Sequence, residues 1–232
     1  MSTVYPTDEA VNAARNNAPG SLASIDFHRL RWFIKKNTSL QDSITVIQDV
    51  TDSESEQEPY SASHPISQAA LTYPPVSTVT ISVDTLDEYS PNWDYEHSKH
   101  AMPEGSPYST GARFDDEGEL EHCCGQDLPD PGPTLKIVAE PGAFVTIGQF
   151  VETVHLWLQE LDSQLRWALN LYGDGEPLDS AVDLYIWPGP LTPLRVLKAV
   201  GRKPENFAHD WAQIAKMATR IVAETRDREE LH

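Results

Sequence analysis

Between positions 97 and 124 the chain carries the residues best suited to holding a metal ion. His97-x-x-His100 is followed by His122-Cys123-Cys124. Imidazole nitrogen and thiolate sulfur are the donors that tetrahedral zinc prefers, but zinc pairs are usually spaced C-x2–4-C or H-x3–5-H, so that two donors reach one ion without strain. Adjacent cysteines and a two-residue histidine gap fit that rule poorly. The expectation is therefore exposed histidines, unpaired thiols, no metal and no cofactor. Cys123 and Cys124 are the only cysteines, and disulfide geometry wants α-carbons about 4.4–6.8 Å apart, which neighbours in sequence rarely reach. Unpaired thiols point to a reducing, intracellular setting, cytoplasmic or nuclear.

Acid–base chemistry offers less. Glu152-x-x-His155 and Glu119-x-x-His122 each place a carboxylate and an imidazole at helical spacing, as in di-iron carboxylate bundles, but those sites need four long helices and two further glutamates. His155 and His209 with Asp162 and Asp210 would supply a base and its orienting acid. The nucleophile elbow G-x-S-x-G and the phosphate-cradling loops are absent. The expectation leans away from an enzyme, with no catalytic residue assigned. The alternative is a small enzyme or ligand-binding domain whose site includes His155 as base, with Trp157, Tyr185 and Trp187 as walls.

Partner-docking segments are easier to find. Ile44-Thr45-Val46-Ile47 precedes Asp49, Asp52, Glu54 and Glu56. This resembles a SUMO-interacting motif, in which a short β-branched segment adds a strand to a ubiquitin-like modifier; Ile44, Val46 and Ile47 are the docking residues. Thr51, Ser53 and Ser55 each have an acid three residues on and are phosphorylation candidates. Asp84–Glu96 interleaves Leu86, Tyr89, Trp93 and Tyr95 with five acids, a pattern that keeps aromatics available to a partner groove. The leading functional expectation is a non-enzymatic interaction or adaptor protein.

The elements that must position these residues divide the chain unevenly. Residues 37–135 hold nineteen Asp and Glu against Lys99 and Arg113 alone, within a total formal charge of −19. Such self-repulsion in Pro- and Ser-rich chain opposes folding. The expected organisation is a flexible tail over 1–20, a basic amphipathic helix over 21–36, an acidic disordered region over 37–133 and a folded module over 134–232. That module reads as α+β, ordered β-β-α-β-α-α: strands at Thr134–Glu140, Ala143–Ile147 and Ala181–Trp187, and helices over 149–172, from Thr192 to Gly201, and from Pro204. Thr146-x-x-Gln149 fits a capping box. Val76–Val83 alternates and reads as a lone strand. Acidity argues against nucleic acid as ligand. Met1–Pro19 is polar where a secretory signal would be basic then apolar, and no run approaches the roughly 20 apolar residues of a membrane span.

The segment TLKIVAEPGAFVTIGQFVETVHLWLQEL, with His155, Trp157 and Leu158 in its helix, resembles one that recurs in uncharacterised proteins of filamentous fungi. The resemblance covers about residues 134–165. It implies a fungal, intracellular protein and brings no activity with it.

Overall fold

The computed structural model describes residues 23–229, save 36–37, 53, 103–104, 174, 188, 190 and 200–203; along the last helix side chains are described for 212–224. The tail over 1–20, the phosphorylation candidate Ser53, and the side chains of His209 and Asp210 lie outside the described residues.

The segment expected to be a basic amphipathic helix forms a 3-10 turn, Phe27–Arg29, and then strand β1, Leu30–Ile34. Phe27, Leu30, Phe33 and Ile34 do sit at helical spacing, but Leu30, Trp32 and Ile34 also alternate, and all three are buried. The alternation prevails because β1 has a backbone partner on each side. Leu30–Trp32 pairs antiparallel with Ile44–Val46 of β2 (Ile44–Ile47), and Trp32–Ile34 pairs with Leu184–Ile186 of a strand about 150 residues further on. Even Arg31 is enclosed: its Nη1 donates to the carbonyls of His28 and Leu30, and burial pushes its pKa down to about 10.

A short helix, α1 (Leu40–Ser43), leads into β2; with the remaining elements numbered in chain order, the main sheet is antiparallel and runs β10-β9-β1-β2-β3. Here β3 is Gln57–Pro59, β9 is Leu184–Trp187 and β10 is Arg195–Lys198. One strand thus comes from the basic segment over 21–36, two from the acidic region after it, and two from the back half. This overturns the expectation of a small C-terminal module behind a disordered leader: one α+β domain spans about residues 27–224, and its central strand lies outside the region expected to fold. The acids mislead because they lie mostly on turns and strand faces open to water, where salt screens charges over about 8–10 Å. The apolar residues between them, including Ile44, Val46, Val79, Ile81, Val83 and Leu86, are buried.

Helix α4, Ile147–Glu160, packs across this sheet. Thr146 caps it, its Oγ1 accepting from the Gln149 N–H at 3.1 Å. Ile147, Phe150, Val151, Val154 and Leu158 make one buried stripe; full burial of each larger side chain contributes about 1.5–3 kcal/mol. Phe150 meets the ring of Phe27 edge-on at 5.5 Å and that of Trp32 at 6.2 Å. Gly148 permits the helix start to rest on the 3-10 turn Pro65–Gln68: a β-carbon there would fall 2.9 Å from the Ser67 carbonyl oxygen. The helix expected over 149–172 breaks at Leu161 and resumes as α5, Asp162–Leu169. The expected hairpin partner of Leu135–Val138 (β8) is replaced by Thr78–Ile81 (β4). The helix expected after Thr192 is instead strand β10, and the final helix α6 runs Pro204–Glu229.

A satellite lobe sits beside this core. It comprises α3 (Tyr89–Ser98) and a three-stranded meander, β5 (Arg113–Phe114), β6 (Leu120–Cys123) and β7 (Gln126–Asp127), and the short helix α2 (Asp84–Asp87), whose Leu86 is buried in the main core, leads into it. Among the described residues its own buried cluster is Trp93, Ala112, Leu120 and Cys123, with Tyr89, Ala101 and Leu171 packed against it. Among the described residues no helix is long and apolar enough to cross a membrane.

Candidate metal centre

The hairpin joining β6 to β7 is a two-residue turn, Cys124-Gly125, closed by the Cys123–Gln126 pair. Both turn residues have positive φ, 53° and 77°, as a type I′ turn requires. Glycine suits that conformation; cysteine, with its β-carbon, does so at a cost of about 1–2 kcal/mol. The turn also removes the strand rule that successive side chains point to opposite faces. The two Sγ atoms come to 3.7 Å from each other.

Two histidines approach from α3. His97 lies in its last turn, and His100 follows the end, its N–H donating to the His97 carbonyl at 3.1 Å. Their ring centroids are 5.3 Å apart. His100 Nε2 is 3.3 Å from Cys124 Sγ. One nitrogen from each histidine and both sulfurs all lie within 4.8 Å of one another. Around tetrahedral zinc, bonds of about 2.3 Å to sulfur and 2.0–2.1 Å to nitrogen put sulfurs roughly 3.8 Å apart and a sulfur–nitrogen pair roughly 3.6 Å apart. The observed separations need shifts of only tenths of an ångström for these two pairs.

Trp93 anchors the helix side. It is fully buried, its indole Nε1–H donates to Gln126 Oε1 at 3.3 Å, and its ring stacks on His97. His97 Nδ1 is buried and finds no hydrogen-bond partner among the described residues. Desolvation, then the neighbouring His100, holds the His97 pKa below the ordinary histidine value, which favours the neutral ring that a metal requires. On the hairpin side, Cys123 is buried and its thiol lies 3.4 Å from Thr110 Oγ1. Cys124 is exposed; desolvation, then the adjoining Cys123 thiol, pushes its pKa up, so a metal must displace a proton there.

A cavity of about 590 Å³ opens beside the cluster, between α3, the hairpin turn and the end of α5. His97, His100 and Cys124 form one wall, with Trp167 and Tyr172 among the residues opposite.

The other sequence-derived sites fall elsewhere. His122, considered with the zinc set, turns away, its Nδ1 2.6 Å from Asp127 Oδ1. Ile44, Val46 and Ile47 are buried, and β2 has a hydrogen-bonded strand on either side, so it has no free edge for a modifier to extend. Leu86 belongs to the main core and Trp93 to the satellite core; Tyr89 packs against the latter and Tyr95 is exposed beneath the Lys99 ammonium. Thr51 and Ser55 lie on the exposed β2–β3 connection, where Thr51 Oγ1 donates to Asp49 and Ser55 Oγ accepts from the Asp49 N–H.

His155 is buried in the main core, its Nε2 2.9 Å from Gln159 Nε2 and 3.2 Å from the Thr38 carbonyl oxygen, and it stacks on Trp32. It ties α4 to the segment before β2. Glu152, its supposed partner, is exposed, and Asp162 is taken by a buried pair with Arg166, whose Nε is 3.0 Å from both carboxylate oxygens. Neither His155 nor Trp187 lines the 590 Å³ cavity.

Comparison with protein-family models, with curated proteins and with solved structures finds no match to this chain.

Proposed function

We propose that this protein is a zinc-binding domain, its ion held by His97, His100, Cys123 and Cys124. The observation that carries the reading is the convergence of two imidazoles and two thiols, from separate elements, within 4.8 Å. Two nitrogens and two sulfurs, with the Sγ–Sγ and His100–Cys124 pairs close to tetrahedral spacing, suit zinc better than the harder magnesium or calcium, which seek oxygen. Of the two functional classes raised from the sequence, a ligand-binding domain is supported over an adaptor, with its site in the satellite lobe instead of at His155.

The lobe gives the ion a role. Four buried residues are a small core for α3 and three short strands, and small units of this kind are commonly held by a metal. Zinc would join the end of α3 to the β6–β7 turn, two elements otherwise linked through Trp93 and Gln126. Its binding energy then becomes folding energy for the lobe.

The test is a competition titration of the full chain, reduced and stripped with chelator, against a chromophoric zinc indicator. The expected result is one tightly bound zinc per chain, lost in a Cys123→Ser/Cys124→Ser double variant and kept in His122→Ala. Equal zinc uptake by the parent and the double variant would overturn the proposal.

A further inference from the structure

Three of the four donors, His97, His100 and Cys124, line the 590 Å³ cavity, whereas Cys123 does not. Cys123 is buried behind them, in the satellite core. In a tetrahedral site the three cavity donors define one triangular face, and Cys123 is the vertex opposite it. Zinc centres with an open position can expand from four ligands to five, and a fifth ligand here would enter through this face. Structural zinc sites are closed on every side; this one has a face turned toward a space of ligand size, since small-molecule pockets run about 300–1,000 Å³.

The cavity walls narrow the chemistry. Trp167, Tyr89 and Tyr172 offer aromatic surface. Two thiolates neutralise the charge of a zinc ion, and the Lys99 ammonium is engaged by Glu96 at 2.8 Å, so a strongly anionic ligand finds no uncommitted cation among these groups. Resting on the zinc reading above, we infer that the cavity binds a small aromatic molecule that adds a weakly acidic oxygen donor to the metal through the His97–His100–Cys124 face, the donor releasing its proton to solvent as the bond forms. The ligand's ring lies against Trp167 and Tyr172, and its donor enters opposite Cys123.

The experiment uses the full chain loaded with one equivalent of cobalt(II), whose intense visible bands report four-coordination and whose ultraviolet bands report thiolate ligation. Benzohydroxamate and acetohydroxamate are the probes; they share the donor group and differ in the ring. Both are expected to weaken the visible bands while thiolate bands persist, with benzohydroxamate binding about tenfold tighter, the worth of one good aromatic contact. Trp167→Ala should remove that preference and leave the cobalt spectrum before probe addition unchanged. Tyr172→Ala, at an exposed position that does not endanger folding, should reduce it. Visible bands unmoved by either probe, cobalt leaving with the probe on filtration, or equal affinity for the two probes would each overturn the inference while sparing the zinc site. A chain that forms no cobalt–thiolate bands before any probe is added overturns the metal centre, and this inference with it.

Discussion

The ring of His97 lies nearly parallel to that of Trp93, with 4.2 Å between centroids and 24° between planes. The residue that fills the satellite core therefore also orients an imidazole proposed as a zinc donor, one helical turn away. Trp93→Ala is expected to cost about 3–5 kcal/mol in the unfolding of this lobe. It should also weaken zinc binding about 10–100-fold, the usual effect of losing a partner that positions a ligand. Trp93→Phe retains a ring for His97 but gives up the bond to Gln126, and should fall between. Urea melts read the first quantity and chelator competition the second.

Stability and metal affinity should separate at the hairpin turn. Cys124→Gly replaces a side chain held at φ 53° with the residue that prefers that region. The metal-free chain should gain up to about 1 kcal/mol, since part of the conformational relief is returned as unfolded-chain entropy. Zinc affinity should fall by more than about 100-fold, beyond the range seen when only a ligand's outer partner is removed. Thermal melts with and without zinc would show the two effects with opposite sign.

Ile44 distinguishes a core strand from a docking peptide. It is buried in β2, whose backbone is paired on both sides. Ile44→Ala should destabilise the whole domain by about 2–5 kcal/mol. A solvent-exposed partner motif would tolerate the change to within about 0.5 kcal/mol. Chemical denaturation followed by tryptophan fluorescence decides between these magnitudes.

Asp84 gives the stability a specific pH dependence. Burial is the main influence on its carboxyl and raises its pKa above the ordinary value, against opposing hydrogen bonds from Thr85 and the Val196 backbone and the charge of Arg195. A carboxyl with a raised pKa in the folded state disfavours folding when ionised. That penalty is present above the folded-state pKa and disappears as pH falls below the unfolded value. Asp84→Asn keeps an oxygen to accept from the Thr85 N–H, now at 2.7 Å, and should be more stable than the parent at neutral pH. The difference should vanish in acid, as parallel melts across pH would record.

Periodicity made several elements legible. The stripe of α4, its Thr146 cap, β9 and the last helix follow from apolar spacing and capping residues read locally. What escaped was long-range pairing. Leu30–Ile34 is helical in spacing and becomes a strand because Ile44–Val46 and Leu184–Ile186 flank it. Val76–Val83 was visible as a strand, but its partner Leu135–Val138 lies across the boundary that net charge suggested. Averaging charge over 37–135 hid the alternation of exposed acids with buried Ile, Val, Leu and Trp.

The four clustered side chains are legible in the sequence as residue types, but their convergence is not. Spacing rules assume that neighbouring side chains in a strand diverge. The positive φ at Cys124 undoes that assumption, and a cysteine directly before glycine in a β-turn was the available signal. His97 and His100 met the same obstacle: a two-residue gap serves badly within a loop but suits the end of a helix, where residues three apart share a side. His122 is close to them in sequence, but the strand directs it to Asp127.

Zinc K-edge X-ray absorption on the full chain with one equivalent of zinc tests the central claim most directly. Two sulfur scatterers at about 2.3 Å and two imidazole nitrogens at about 2.0 Å are expected, the sulfur shell disappearing in the Cys123→Ser/Cys124→Ser variant. A first shell made only of oxygen and nitrogen in the parent protein would contradict it.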